Sequence, residues 1–469
     1  MAQIEQARRQ LYSVDGLPEG FRELCGQAEG SVVKFMGHAF GQMPPSAHFA
    51  ATQRTFAMEQ RGNSIWGEVL GSVIPEASRH VLQILGLTEG GDSASQEWAV
   101  EFGHNSHELA TRLMSAKFMT DSALRILTTD GEFYSLTRQL NMLASGLLQE
   151  GCGAAVSENG VTTVPVCERV AISHIPCEPW ETFEERFAAE AASPSAYNFL
   201  YCSHVQFSTQ RSLLGDPAEF AFRVRAAVKQ GWKASGKEQE TAGWDAAPDA
   251  ASTTPPFLVI DGYHAFSAIP IRLPPNVPAM YLAGVLKHMG CGPNAAFVTV
   301  PRALELRPLL TGWLADPSVL DKGGFGMGDA VGFEAGLRLM GGTPAFAPAL
   351  VMMCEVTKRW EQTGITVDHI HAHVLALHNA LLALLPNDGP ISARTLLAPQ
   401  PPARRSHVLV FEQGSEEQAA NTVSALAKLG IEADCRKRMV RLGFGFWHGL
   451  DDVRLLGGAV AKLGKGEQG

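Results

Sequence analysis

The sequence has no CxxC pair and no Cys/His grouping at metal-ligand spacing, although eight cysteines are spread over its 469 residues. Cys25, Cys152, Cys167, Cys177, Cys202, Cys291, Cys354 and Cys435 therefore read as reduced, buried thiols, not as a disulfide framework or a zinc module. There is no basic block either. The formal charge of -10 is dispersed, which gives no support to nucleic-acid or acidic-membrane partners. No apolar window reaches membrane-spanning length, and the start, MAQIEQARRQLYSVDGLPEGF, has no apolar h-region. These absences leave a soluble, cytoplasmic, globular chain as the expectation. With 45% hydrophobic and 18% charged residues it can build two or more layers around a large core, with about two or three domains as a loose prior.

The stretch that organises the rest runs from Phe257 to Val300. Phe257-Leu258-Val259-Ile260 has the length and composition of a strand buried on both faces, and it stops at Asp261, Gly262, Tyr263 and His264. In a parallel sheet, ligands gather at such strand ends. One crossing later Lys287 lies between Tyr281-Leu282-Ala283 and a Gly290-Cys291-Gly292-Pro293 turn. A carboxylate and an amine delivered to one rim suit pyridoxal phosphate (PLP), which needs an amine to hold its aldehyde and an acid to keep its ring nitrogen protonated. Taken singly, an Asp at a strand end is more often a turn former, and a lone Lys more often a surface residue.

DGYHAF, YLAGVLKH and GCGPNAAFVTVP, in that order, resemble the cofactor core of the fold-type-I PLP enzymes of the class V aminotransferase superfamily, closest to its kynureninase-like and cysteine-desulfurase-like members. The resemblance implies an α/β, PLP-dependent transferase-like fold: a large domain with a mostly parallel sheet sandwiched by helices, and a smaller α+β C-terminal domain. It implies that Asp261 contacts the pyridine nitrogen, that His264 lies beside the cofactor, and that Lys287 carries it as a Schiff base. One departure is Leu286, where many relatives have an aromatic residue or a hydroxyl that helps to hold the phosphate.

The other motifs follow in the same order. Lys34 to Gly41 with Met43-Pro44-Pro45 resembles an N-terminal piece lining the substrate side, with His38 and Phe40 as candidates; an ordinary Gly/Pro loop reads nearly as well. A strand at Trp98–Phe102, a polar turn and a helix opening with Asn105 and Ser106 present unpaired N–H groups to an anion. Capping accounts for those two residues equally well, and the likeness of FGHNSHELATRLMSA to the family's phosphate turn places Asn105, Ser106 and His107 at the phosphate. After the strand Leu124–Thr129, Phe133 is the candidate for the ring stacked on the pyridine. Ser203, His204 and Gln206 stand in a segment like the family's SHV passage, without the Asn usual in desulfurases. Trp313 and Thr343 lie in TGW and GGTP strings that in relatives cross a two-fold interface, which implies a homodimer with shared sites. In the strand Met439–Gly443, Arg441 matches the residue that grips a substrate α-carboxylate, with Arg436 and Arg438 close enough to compete.

Domain limits follow: residues 1–46 as a helix and pocket-lining segment, 47–350 as the PLP-binding domain with 229–256 as an exposed insertion, and 351–469 as the C-terminal domain. The histidines at 369, 371, 373 and 378 do not share one helix face, and no metal is expected. The function implied is a PLP-dependent transferase or lyase acting on an amino acid. Transamination, carbon–carbon cleavage as in kynureninase, carbon–sulfur cleavage and racemisation all remain open. Residues 385–405 hold no cysteine, which disfavours sulfur abstraction by the chain's own thiol. The alternative is a catalytically degraded member of the fold acting as a binding or interaction module.

Overall fold

The computed structural model describes residues 2–28, 32–87, 97–147, 155–156, 162–167, 169–193, 197–213, 215–236, 238–241, 255–319, 326–342, 347–397, 401 and 404–464. Its strands are β1 (Val33–Lys34), β2 (Trp98–Gly103), β3 (Leu124–Thr129), β4 (Ala155–Val156), β5 (Thr162–Cys167), β6 (Val170–Ile175), β7 (Phe199–Ser203), β8 (Phe257–Asp261), β9 (Met280–Gly284), β10 (Ala296–Pro301), β11 (Val408–Glu412), β12 (Ile431–Glu432), β13 (Asp434–Arg436) and β14 (Met439–Gly443). Nine of them form one sheet in the order β2-β10-β9-β8-β7-β3-β6-β5-β4. Its centre, β9-β8-β7-β3-β6, is parallel throughout, while β10 runs antiparallel to both neighbours and β5 returns from β6 as a hairpin.

The central strands are continuous apolar runs because both of their faces are covered. Period-2 alternation divides β8 between two cores: Leu258 and Ile260 join one, Phe257 and Val259 the other. β9 divides in the same way, with Tyr281 and Ala283 on the first side and Met280 and Leu282 on the second. The helix Ser106–Asp121 packs on the second face; Pro217–Ala234 and Ala347–Thr363 pack on the first. The expected α/β fold with helices on both sides of a mostly parallel sheet is what is found.

A third core surrounds the three-stranded antiparallel sheet β11-β14-β13 and starts within the helix Val367–Leu382, at Val374. The helix Ala347–Thr363 runs across the expected domain boundary at residue 350, and Met353 and Trp360, beyond it, still join Leu350 in the large sheet's core. The N-terminal segment is threaded onto this smaller unit: β1 pairs in parallel with β12, Met36 bridges Gly443, and Phe35 lies in the third core. The helix Pro217–Ala234 continues into the stretch 229–256 expected to be an exposed insertion and buries Gly231 there; residues 237 and 242–254 of that stretch lie outside the described ones. No described helix is long and apolar enough to cross a membrane.

Candidate active site

Asp261 ends β8 at the middle of the sheet. Its Oδ2 accepts from the Tyr201 hydroxyl at 2.6 Å, and its Oδ1 accepts from the Tyr263 N–H at 2.8 Å. Burial pushes this carboxyl above its ordinary range, against those two bonds and the nearby Lys287 charge. Gly262 is required here, since a Cβ would fall 2.1 Å from the Tyr281 hydroxyl. The Lys287 Nζ lies 2.7 Å from His264 Nε2, 4.6 Å from the centre of the Tyr263 ring and 5.8 Å from that of Phe133. The residue as a whole is half-buried, but its amine end is deep, and desolvation brings it down to about 7. Burial and the adjacent Lys287 hold His264 neutral. The acid, the imidazole and the amine predicted to converge do so.

Phe133 presents its ring to this space. It is 41% exposed and packs edge-on against Phe207 at 4.9 Å. Its neighbour Glu132 gave no sequence signal, yet it is buried beneath the turn. Glu132 Oε1 accepts from the Thr129 hydroxyl at 2.6 Å and from the Ser203 N–H at 3.1 Å, its Oε2 is bonded to the Ser203 hydroxyl, and burial raises the carboxyl to about 7. Ser203 is thus held by Glu132. Gln206 accepts from the Thr209 hydroxyl and lies against Gly131. His204 turns toward β9, its Nδ1 2.8 Å from the Tyr281 hydroxyl, and burial lowers it to about 4. Ser203 and Gln206 therefore brace the Phe133 turn, while His204 donates its backbone N–H to the Asp261 carbonyl and turns its ring to Tyr281 on β9.

At the helix Ser106–Asp121, Asn105 has the extended backbone of an N-cap, and its side chain accepts from Glu108 N at 2.8 Å. Glu108 in turn accepts from the His104 N–H at 2.9 Å and bonds Arg112. His107 Nε2 reaches Gln139 Oε1 at 3.1 Å. Capping is therefore real at Asn105, and Ser106, in the first turn, keeps its position at the positive end of the helix.

The N-terminal segment crosses directly over the lysine loop. Gly41 donates to the Leu286 carbonyl at 3.1 Å, and a Cβ there would stand 1.7 Å from the Lys287 carbonyl oxygen. Phe40 is 49% exposed on this segment, whereas His38 is buried with its Nε2 2.9 Å from Asp434 Oδ1. The same carboxylate takes Arg441 side-on, at 2.9 Å from Nε and 2.6 Å from Nη2. Nη1 donates to the Phe207 carbonyl at 2.8 Å, and the guanidinium lies 4.9 Å over the Phe207 ring. Arg441 is 1% exposed, and against the cost of burial the hydrogen bonds from His38 and Arg441, with the guanidinium charge, hold Asp434 well below the usual carboxylate range. Arg438 pairs with Glu412, and Arg436 touches only the outer side of Asp434, so Arg441 is the arginine turned inward. A chain carboxylate already occupies the edge expected to grip a substrate.

Trp313 sits in a short helical turn, edge-on to Trp66 at 5.8 Å. Thr343 lies outside the described residues. The histidine row is used structurally: His369 completes a capping box with Thr366, His371 bonds His407 at 3.2 Å, and His373 bonds the His448 carbonyl at 2.9 Å.

The donor set suits PLP. A buried amine near neutrality stands beside a neutral imidazole, and the buried Asp261 has no bonded cation among the described residues, as suits a partner for a protonated ring nitrogen. The phosphate end is thinner, with Leu286 offering no side-chain donor.

No family model and no curated protein matches the chain, but solved structures match nearly all of it. The chain shares its fold with solved structures of the C-DES protein and of cysteine desulfurases. In particular it is similar to a variant of the C-DES protein with glycine covalently linked to the PLP cofactor (TM-score 0.64, 14% identity, covering 94% of this chain and 99% of that one). The cysteine desulfurase from Thermococcus onnurineus NA1 (0.63, 14%, 96% and 98%) and the cysteine desulfurase CsdA from Escherichia coli (0.60, 14%, 92% and 94%) have the same fold.

Proposed function

We propose that the chain is a PLP-dependent transferase or lyase of the class V type, acting on an amino-acid substrate, with Lys287 as the residue that carries the cofactor. The observation that carries this reading is the Lys287 amine, brought to about 7 and set 2.7 Å from His264, beside a buried Asp261 that waits for a cation. When bound, PLP supplies an electron sink next to the substrate's amino-bearing carbon. Asp261 would hold a proton on the ring nitrogen, Phe133 would pack against the ring, and Asn105, Ser106 and His107 would take the phosphate. Lys287 moves a proton between its Nζ and the substrate, a task that a buried amine titrating near neutrality performs at physiological pH.

Sulfur transfer to a thiol of the chain is not part of this reading. Residues 385–405 have no cysteine, and Cys435 lies in β13 with its thiol pushed up by burial and by Asp434. Amino transfer, carbon–carbon or carbon–sulfur cleavage and racemisation are all reactions this site could run. A homodimer, with Trp313 and Thr343 at a neighbour's phosphate, and a cytoplasmic setting complete the proposal. The binding-module alternative draws only on Leu286 and on the occupied Arg441. Purified protein mixed with PLP should develop the visible band of lysine-bound cofactor, and Lys287→Ala should remove it. An undiminished band in that variant would refute the assignment.

A further inference from the structure

One side chain next to the site has its orientation forced from both ends. Gln210 is 4% exposed, and its backbone is in the left-handed region at φ 57°, which non-glycine residues seldom adopt outside functional turns. Its Nε2 donates to the Phe207 carbonyl at 2.8 Å, and the same nitrogen lies 3.4 Å from His264 Nδ1. A carbonyl can only accept, so turning the amide over would set oxygen against oxygen; the -NH2 end must face both groups. The amide oxygen is left buried with no partner among the described residues.

The consequence travels along the imidazole. An N–H pointing at Nδ1 requires that atom to carry the lone pair, so the proton of neutral His264 sits on Nε2 and points at the Lys287 Nζ, 2.7 Å away. Nζ can accept it only as the free amine. The Phe207 carbonyl that aims Gln210 also accepts from Arg441 Nη1 at 2.8 Å, so the chain of bonds runs from Asp434 and Arg441 through Phe207, Gln210 and His264 to Lys287.

We propose that Gln210 is a positioning residue for the reaction: by fixing the tautomer of His264 it keeps Lys287 as the unprotonated amine that captures the aldehyde of PLP. This rests on the reading of Lys287 as the cofactor-carrying residue. The other groups acting on that amine are Asp261 and Asp434, which favour its charge, and Arg441, which opposes it; the buried imidazoles of His38 and His288 also lie within electrostatic reach. Gln210→Leu removes none of these and adds no charge, so the tautomer effect is isolated in that variant, whereas Gln210→Glu adds a carboxylate of its own and its shift includes that charge.

The test is the rate of PLP uptake, followed by its visible band across about pH 6 to 10, whose midpoint reports the titration of Lys287. In Gln210→Leu, His264 is free to place its proton on Nδ1 and accept from an ammonium. In Gln210→Glu it is driven to do so. The midpoint should rise by about half a unit to one unit in the first and by more in the second. A midpoint that stays put in a variant that still takes up PLP overturns the proposal. In case neither variant folds, ring-nitrogen NMR of His264 in the cofactor-free wild-type protein decides: a proton on Nε2 supports the proposal and a proton on Nδ1 overturns it. Failure of the cofactor reading would look different, as equal uptake by wild type and Lys287→Ala.

Discussion

The floor of the site and its rim handle charge in opposite ways. On the floor, Asp261 at the end of β8 and Glu132 just past β3, on either side of β7, are buried with hydroxyl and amide partners and, among the described residues, no bonded cation, and both carboxyls are raised by burial. On the rim, Arg441 and the first turn of the helix Ser106–Asp121 each already hold a carboxylate of the chain, Asp434 and Glu108. Unpaired buried charge is costly and paired buried charge is nearly neutral, so the floor is prepared for an incoming cation, while the rim accepts an anion only in competition. The contrast assigns the strongest selectivity to the ring of the cofactor and the weakest to the anionic ends of the ligands.

The largest effect should come from removing the floor's one committed acid. Asp261→Asn should leave PLP uptake possible but lower turnover by roughly 100-fold or more, the scale of losing a fixed charge aimed at a reacting centre; turnover within a few-fold of wild type would erase the distinction between floor and rim. Next, Asp434→Ala leaves the buried Arg441 guanidinium without its carboxylate and the His38 imidazole without its partner, and should cost about 3–5 kcal/mol, part of it restored by formate, which a merely misfolded variant would not show in a thermal melt. The sign with pH is fixed by the depressed folded value of Asp434. Its contribution is full above the unfolded carboxyl range of about 4 and is lost as the pH falls further toward the folded value.

Glu132 has the opposite sign. Its folded carboxyl titrates at about 7 against an ordinary value of 4.5, so folding is weakened as pH rises from the lower value to the higher. Glu132→Gln should therefore stabilise the protein by up to about 3 kcal/mol above neutrality and by almost nothing near pH 4, checked by urea melts at the two pH values. The smallest effect belongs to the ring wall: Phe133→Leu should weaken PLP binding by about 3- to 10-fold, the worth of one aromatic contact, and equilibrium dialysis would measure it.

How far the sequence could be read follows the same division. β8 and β9 were legible because strands buried on both faces are unbroken apolar runs, and Asp261, His264 and Lys287 were legible because such runs end in polar residues at the site. Glu132, Tyr201, Gln210 and Asp434 were not. Each acts through a contact with a residue far away in the chain: Tyr201 reaches Asp261, Gln210 reaches His264, Glu132 reaches Ser203, and Asp434 reaches His38. No local pattern encodes such pairings. Arg441 was found by position, but its engagement by Asp434 depends on the register of β13 against β14, which sets the two residues opposite one another. The boundary expected at residue 350 falls inside the helix Ala347–Thr363 because an apolar helix reads equally well as a linker or a core helix, and only its packing partners separate the two.

The central claim is that one amine, at position 287, holds the aldehyde cofactor. Reducing PLP-loaded protein with borohydride and mapping its peptides by mass spectrometry tests it most directly. The account predicts a single pyridoxyl adduct per chain, on Lys287; an adduct on another lysine, or none after saturation with PLP, would contradict it.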